Sequence, residues 1–179
     1  MPETESKVEP GLELEEAREK KSPLEDLVIK VDRASILDIS KIYSDRFRLL
    51  VDDPKILKVS SIKVSEMSLW SPLVHGERET SVPKMMMRLE RSGKIPLDAK
   101  FFLALAEQRD SIPCYFKNET ESRRTEILIA GSIFGPRDVK DNRRFLIHFF
   151  WKVDHWSFGS TPFSSAIGIE NRVLVINSR

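Results

Sequence analysis

At 179 residues, with 40% hydrophobic and 32% charged side chains, the chain has the composition of a globular protein rather than of a fibrous or low-complexity one. Its 29 lysines and arginines nearly cancel 28 aspartates and glutamates, which excludes a whole-molecule field strong enough to steer it onto polyanions. One cysteine, Cys114, excludes an internal disulfide, and no stretch approaches the roughly 18 to 20 apolar residues of a membrane span; a cytoplasmic protein without membrane contact is expected.

Residues 1–25 are rich in Glu and Lys, carry Pro2, Pro10 and Pro23, and contain no aromatic side chain. They bury too little apolar area to offset the entropy of ordering, so a flexible charged tail is predicted. Within it, Leu12 to Lys21 suits a helical turn or two, with Glu15 and Glu16 placed before Arg18, Lys20 and Lys21, but Leu12 and Leu14 alone are a poor apolar face, so helix there is expected to be transient unless a partner binds. The composition changes at Asp26, and residues 26–179 are read as a single α+β domain.

Leu27, Val28, Ile29 and Val31 form a β-prone run, followed by a helix or loop through Ile36, Ile39, Ile42 and Tyr43. Strands are predicted at residues 47–51 and 56–64. A helix follows, capped by Thr80 or Ser81 with Pro83 in its first turn; Val82, Met85, Met86 and Leu89 share a face and Gly93 ends it. Asp98 is the expected N-cap of a second helix over residues 99–108, where Phe101, Phe102, Leu103, Leu105 and Ala106 surround most of the circumference.

The C-terminal third predicts strands at 114–117, 126–134, 143–153, 156–158 and 172–176, joined by turns into an antiparallel meander. In the 143–153 run, Phe145, Ile147, Phe149 and Trp151 alternate with Leu146, His148 and Phe150, the pattern of a central strand covered on both faces. The expected architecture is therefore a mostly antiparallel sheet with two central helices packed on it.

VDR near residue 31, MMMRLERSGKIPLDAKFFLAL, IPCYFK, GSIF and RFLIHFFWKVDHW, in that order, resemble a family of bacterial proteins to which no function is assigned. The resemblance spans residues 28–167, and implies a shared fold and no activity. Its most specific positions are Arg88-Leu89, Gly93 to Lys100, Ile112-Pro113 with Lys117, and Gly131-Ser132. The family tends to have a further Trp-rich strand after the second Trp, whereas this chain has none after Trp156.

Candidate chemistry is sparse. Cys114 is the one thiol available as a nucleophile, with His148 or His155 to activate it, although its flanking Ile112, Tyr115 and Phe116 suit a core cysteine better. His148 and His155 are seven apart, an odd spacing that predicts opposite faces and no shared metal. Glycines 131, 135 and 159 are isolated, so no phosphate-binding loop and no cofactor is expected.

Two basic groups stand out, Lys84, Arg88, Arg91 and Lys94 along the first helix and Arg137, Arg143 and Arg144 with Lys140 at a hairpin. Of Phe149, Phe150, Trp151, Trp156 and Phe158, most are expected in the core; Trp156 and Phe158 share a strand face near a turn and are the pair best placed for exposure, where they would anchor a protein interface. These residues order three expectations. The first is a non-catalytic protein-interaction or self-associating module, the second a nucleic-acid-binding accessory protein using the basic groups, and the third a small enzyme with a Cys nucleophile.

Overall fold

The computed structural model describes residues 27–38, 40, 46–108, 112, 116, 119–120, 123–152 and 155–177. The predicted tail, Cys114 and the strand expected at 114–117, apart from Phe116, lie outside the described residues. In chain order the elements are β1 (Val28–Lys30), β2 (Phe47–Asp52), β3 (Ser61–Lys63), β4 (Met67–Trp70) and β5 (Glu79–Ser81), then α1 (Val82–Arg91), β6 (Lys94–Pro96) and α2 (Ala99–Glu107). The two-residue strands β7 (Glu119–Thr120) and β8 (Arg123–Arg124) precede β9 (Glu126–Pro136), β10 (Phe145–Lys152), β11 (His155–Pro162), β12 (Ala166–Gly168) and β13 (Asn171–Asn177).

Both helices start where their capping residues predict. Ser81 Oγ accepts the Lys84 N–H at 3.4 Å, with Pro83 in the first turn, and Asp98 Oδ1 accepts the Phe101 N–H at 3.0 Å. Gly93, at φ 70°, supplies the left-handed residue just beyond α1.

Seven strands form the main sheet, in the order β11-β10-β9-β13-β4, with β2 also paired to β9 and β6 to β13. The expectation of an antiparallel meander holds for most neighbours, but β9 and β13 run parallel from Glu126 and Asn171 to Leu128 and Val173. Beyond that point the two strands part, and β6 fills the opening by pairing with β13 at residues 175–177. Leu97 completes the seam: its N–H donates to Leu174 O at 3.0 Å and its carbonyl accepts the Gly131 N–H at 3.0 Å. The strand expected over 56–64 is instead a 3-10 turn at Ile56–Lys58, the short β3, and a second turn at Val64–Glu66. The mixed faces of that stretch reflect turns, not alternation.

Side-chain alternation then divides the apolar residues between two cores. On one face Ile127, Ile129, Ile147, Phe149, Trp156, Leu174 and Ile176 pack with α2 and with Ile29 and Ile62 of the β1–β3 ribbon. On the other, Leu128, Ala130, Leu146, Val173 and Val175 pack with Val82, Met85 and Leu89 of α1 and with Ile167 of β12. The two helices thus cover opposite faces, which accounts for the apolar residues on both sides of β10. No helix among the described residues is long and apolar enough to cross a membrane.

A Cβ placed on Gly131 would lie 2.6 Å from Pro96 O and 2.7 Å from Leu97 O, inside contact with backbone that is hydrogen-bonded in place. Gly131→Ala is therefore expected to destabilise the protein by about 1 to 3 kcal/mol, as an overpacked buried position does. Urea unfolding of the variant beside the wild type measures this.

Candidate functional site

The end of the sheet where β2 begins and β9 turns into β10 gathers six exposed basic residues. Arg46 precedes β2, and its carbonyl accepts the Arg137 N–H at 2.8 Å. Phe47 then pairs with Pro136 and Arg48 with Gly135, while Arg48 Nε reaches Pro136 O at 3.1 Å. The turn from β9 to β10 carries Arg137, Lys140, Arg143 and Arg144, and all six basic residues are exposed. Phe47 and Phe145 meet edge to face with centroids 5.2 Å apart, and the Arg143 guanidinium lies 5.8 Å from the Phe145 ring centre. A pocket of about 300 Å³ opens between Phe47, Arg48, Arg137 and the 37–40 loop.

Three acids temper this patch, and one of them, Asp38, lines the pocket with Arg48 and Arg137. Asp141 takes a forked hydrogen bond from Arg143, with Nη2 at 2.5 Å, and that guanidinium holds the Asp141 carboxyl below the usual carboxylate range. Asp138 accepts the Lys140 N–H at 3.0 Å and shapes the turn.

The helical basic group is spent differently. Arg88 forks onto Glu77 with both contacts at 2.6 Å and also donates to Pro72 O at 2.9 Å, and Lys84 Nζ meets the same carboxylate at 3.0 Å. Arg88, first, and Lys84 hold Glu77 far below the usual carboxylate range. Lys94 Nζ donates to Asn177 at 2.9 Å, so of the four only Arg91 has no polar side-chain contact among the described residues. The two basic groups named from the sequence therefore separate, and the hairpin set gains Arg46 and Arg48. Those two sit in a stretch whose apolar alternation marks it as a strand, and only the β2–β9 pairing brings them to the hairpin.

The histidines project from one face, not from opposite faces. Lys152 and His155 are directly opposed in the β10–β11 pairing, which puts His155 on the face of Lys152 and His148 and overrides the linear count. Four rungs nonetheless separate His148 from His155, about 13 Å at the usual rise. His148 Nδ1 lies 2.8 Å from Thr161 Oγ1, and its ring covers Gly159, where a Cβ would come within 2.2 Å of Nε2. No group of three or more His, Cys, Asp or Glu among the described residues is placed to hold a metal ion.

Trp156 is not an exposed anchor: it is 4% exposed, packed edge to face on Phe149 at 5.1 Å and on Trp151 at 5.2 Å. Phe158 is half-buried, against Phe102 of α2 at 5.3 Å. The shared face was predicted correctly, but α2 occupies it.

A second polar cluster lies inside the protein. Arg33 forms an ion pair with the fully buried Asp98, donates to Val59 O at 2.7 Å and Ile56 O at 2.9 Å, and covers the Phe101 ring at 4.8 Å. Ser132 donates to Asp52 and accepts the Ala99 N–H at 2.9 Å, so its hydroxyl proton is committed to Asp52. Lys100 Nζ binds the carbonyls of Asp32, Arg33 and Ser35 at 3.2, 2.8 and 2.5 Å. Three of the motif positions from the sequence, around Arg33, Asp98 and Ser132, thus meet at the start of α2. Burial pushes the Asp52 carboxyl above its usual range, with Ser132 opposing and the neighbouring Asp98 adding to the rise. This constellation binds loops to the sheet; its donors and acceptors are turned on one another.

No protein-family model, no curated protein and no solved structure matches this chain.

Asp98→Ala removes a helix cap and leaves the Arg33 cation without its buried partner, which is expected to cost about 3 to 5 kcal/mol in denaturant unfolding. Asp52 should act in the opposite sense. Its raised folded-state pKa means that the folded protein holds this proton more tightly than the unfolded chain does. Stability from this group is therefore full below the unfolded value and falls as pH rises through the folded one. Asp52→Asn keeps an acceptor for Ser132 without the titration, so its stability relative to wild type should increase from pH 3 to pH 7. A pH-independent difference would contradict the burial of that carboxylate.

Proposed function

We propose that residues 26–179 form one domain that works in the cytoplasm as a non-catalytic binding module, with the basic end of the sheet as its binding surface. The ligand class that fits is a nucleic-acid phosphate backbone. One observation carries this reading, the convergence of Arg46, Arg48, Arg137, Lys140 and Arg144 on the rim around the Phe47–Phe145 pair, beside an Arg143 that Asp141 already engages. Arginines on strand ends and a tight turn present several forked donors at a fixed spacing, which suits phosphate oxygens better than mobile lysines do. The overall charge of only +1 makes the binding local and dependent on salt.

A labelled duplex of about 20 base pairs is expected to bind at low salt, with affinity falling as salt rises. Arg137→Gln with Arg144→Gln should flatten the slope of log affinity against log salt by about 2, close to 0.9 for each lost phosphate contact. Absence of binding at low salt, or an unchanged slope, overturns the reading.

Self-association is the second reading, and β11 favours it. This eight-residue strand borders only β10 among the described residues and contains no Lys, Arg, Asp or Glu to discourage edge pairing. A nuclease-resistant dimer in native mass spectrometry is the expected outcome of that reading, and a monomer at micromolar concentration removes it.

A further inference from the structure

A cleft of about 540 Å³ lies away from the basic end, between β6, the last residues of β13 and the strand β3. Its floor is apolar and already packed: Ile62 is 1% and Ile176 is 8% exposed, with Ile95 and Val59 beside them. Two exposed cations, Lys55 and Lys58, stand on the rim. Neither ammonium has an ion-pair partner among the described residues. The one acid on the rim, Glu66, accepts the Lys63 N–H at 3.0 Å and so serves its own turn.

An apolar floor with a cationic rim calls for a short peptide that alternates apolar and acidic side chains. Residues 12–16 of this chain, Leu-Glu-Leu-Glu-Glu, have that composition. Extended, they place Leu12 and Leu14 on one face and Glu13 and Glu15 on the other. The chain also enters the fold beside the cleft. Leu27 O accepts the Val64 N–H at 2.9 Å, and in the following strand Ile29 is paired with Ile62 of the cleft floor. A chain of the length of residues 17–26, the connection between the segment and Leu27, has a mean reach of about 17 Å, enough for a site one strand away, and it makes the effective concentration of the segment millimolar in order of magnitude.

We propose that this cleft is the docking site of residues 12–16 of the same chain. Leu12 and Leu14 enter against Ile62, Ile95 and Ile176, and the glutamates meet Lys55 and Lys58. The two leucines, too few to form a core of their own, find one on the domain, and the docked segment covers β6 at the seam of the sheet. This occupancy is independent of the basic end and of what binds there.

Hydrogen–deuterium exchange on the full chain tests it. Amides of residues 12–16 are expected to exchange at least about tenfold more slowly than in a free peptide of the same sequence. Leu12→Ser with Leu14→Ser alters only the segment and should return exchange to the free rate. Lys55→Glu with Lys58→Glu should do the same, and adding Glu13→Lys with Glu15→Lys should restore protection. Free-peptide exchange in the wild type overturns the proposal, as does protection that survives the rim substitutions. Protection that rises with protein concentration assigns the cleft to a second copy and overturns the same-chain occupant.

Discussion

Two helices that follow one another in sequence cover opposite faces of one sheet, so the chain between them has to pass through that sheet. It does so at the only kind of place where a sheet has room, between two parallel strands that diverge. β9 and β13 are hydrogen-bonded through Leu128 and Val173 and then separate. The backbone groups left facing the gap would each cost about 1 to 3 kcal/mol if buried without partners. β6 and Leu97 supply partners on both sides, from Leu174 O on one strand to the Gly131 N–H on the other. The crossing also brings its own chain geometry: Gly93 ends α1 on one side and Asp98 begins α2 on the other. Gly131 is the concession that the neighbouring strand makes to it.

Once the crossing is fixed, period-two alternation assigns the rest. Ile127 and Ile129 face α2 while Leu128 and Ala130 face α1, and β13 divides in the same way between Leu174 with Ile176 and Val173 with Val175. The α2 side receives the large aromatic residues, Phe102 meeting Phe149 at 4.8 Å and Phe158 at 5.3 Å. The buried residues of the α1 side are aliphatic apart from Met85; Trp70 and Phe163 pack partly buried against them, and the small β5–β12 ribbon closes that side. Trp156 belongs to the aromatic side, which is why a residue near a hairpin turn is buried. Its Nε1 is the one buried side-chain donor with no partner among the described residues, a local cost that its ring packing offsets.

Local signals were legible in the sequence and pairings between distant segments were not. Ser81 with Pro83, and Asp98 before an apolar run, mark both helices because a cap acts within one turn. The β9, β10 and β13 runs are apolar enough to be recognised as strands. The parallel pairing of β9 with β13 leaves no such trace, since it depends on β6 occupying a gap made by other strands. The same limit separates the two basic groups. Lys84 and Arg88 look free along a helix until Glu77 from the preceding loop is placed beside them. Arg46 and Arg48 look like polar residues of an ordinary strand until β2 is paired with β9. Even the histidine parity failed for a local reason, because counting along the chain ignores the strand pairing that opposes Lys152 to His155.

β2 connects the interior cluster to the surface one. Its last residue is tied in by Asp52 to Ser132, and the Asp53 N–H follows with a bond to Gly131 O at 2.8 Å. Its first is held by Phe47 against Phe145 and by the bond between Arg46 O and Arg137. A bulge between Leu49 and Val51 absorbs the extra residue between these two fixed ends. The register of β2 is thus set from the buried side, where a slip would withdraw Asp52 from Ser132. A slip of one residue would also turn Arg48 inward and Leu49 outward. The polar cluster at the start of α2 thereby determines which cations stand at the far end of the strand and how far apart they are.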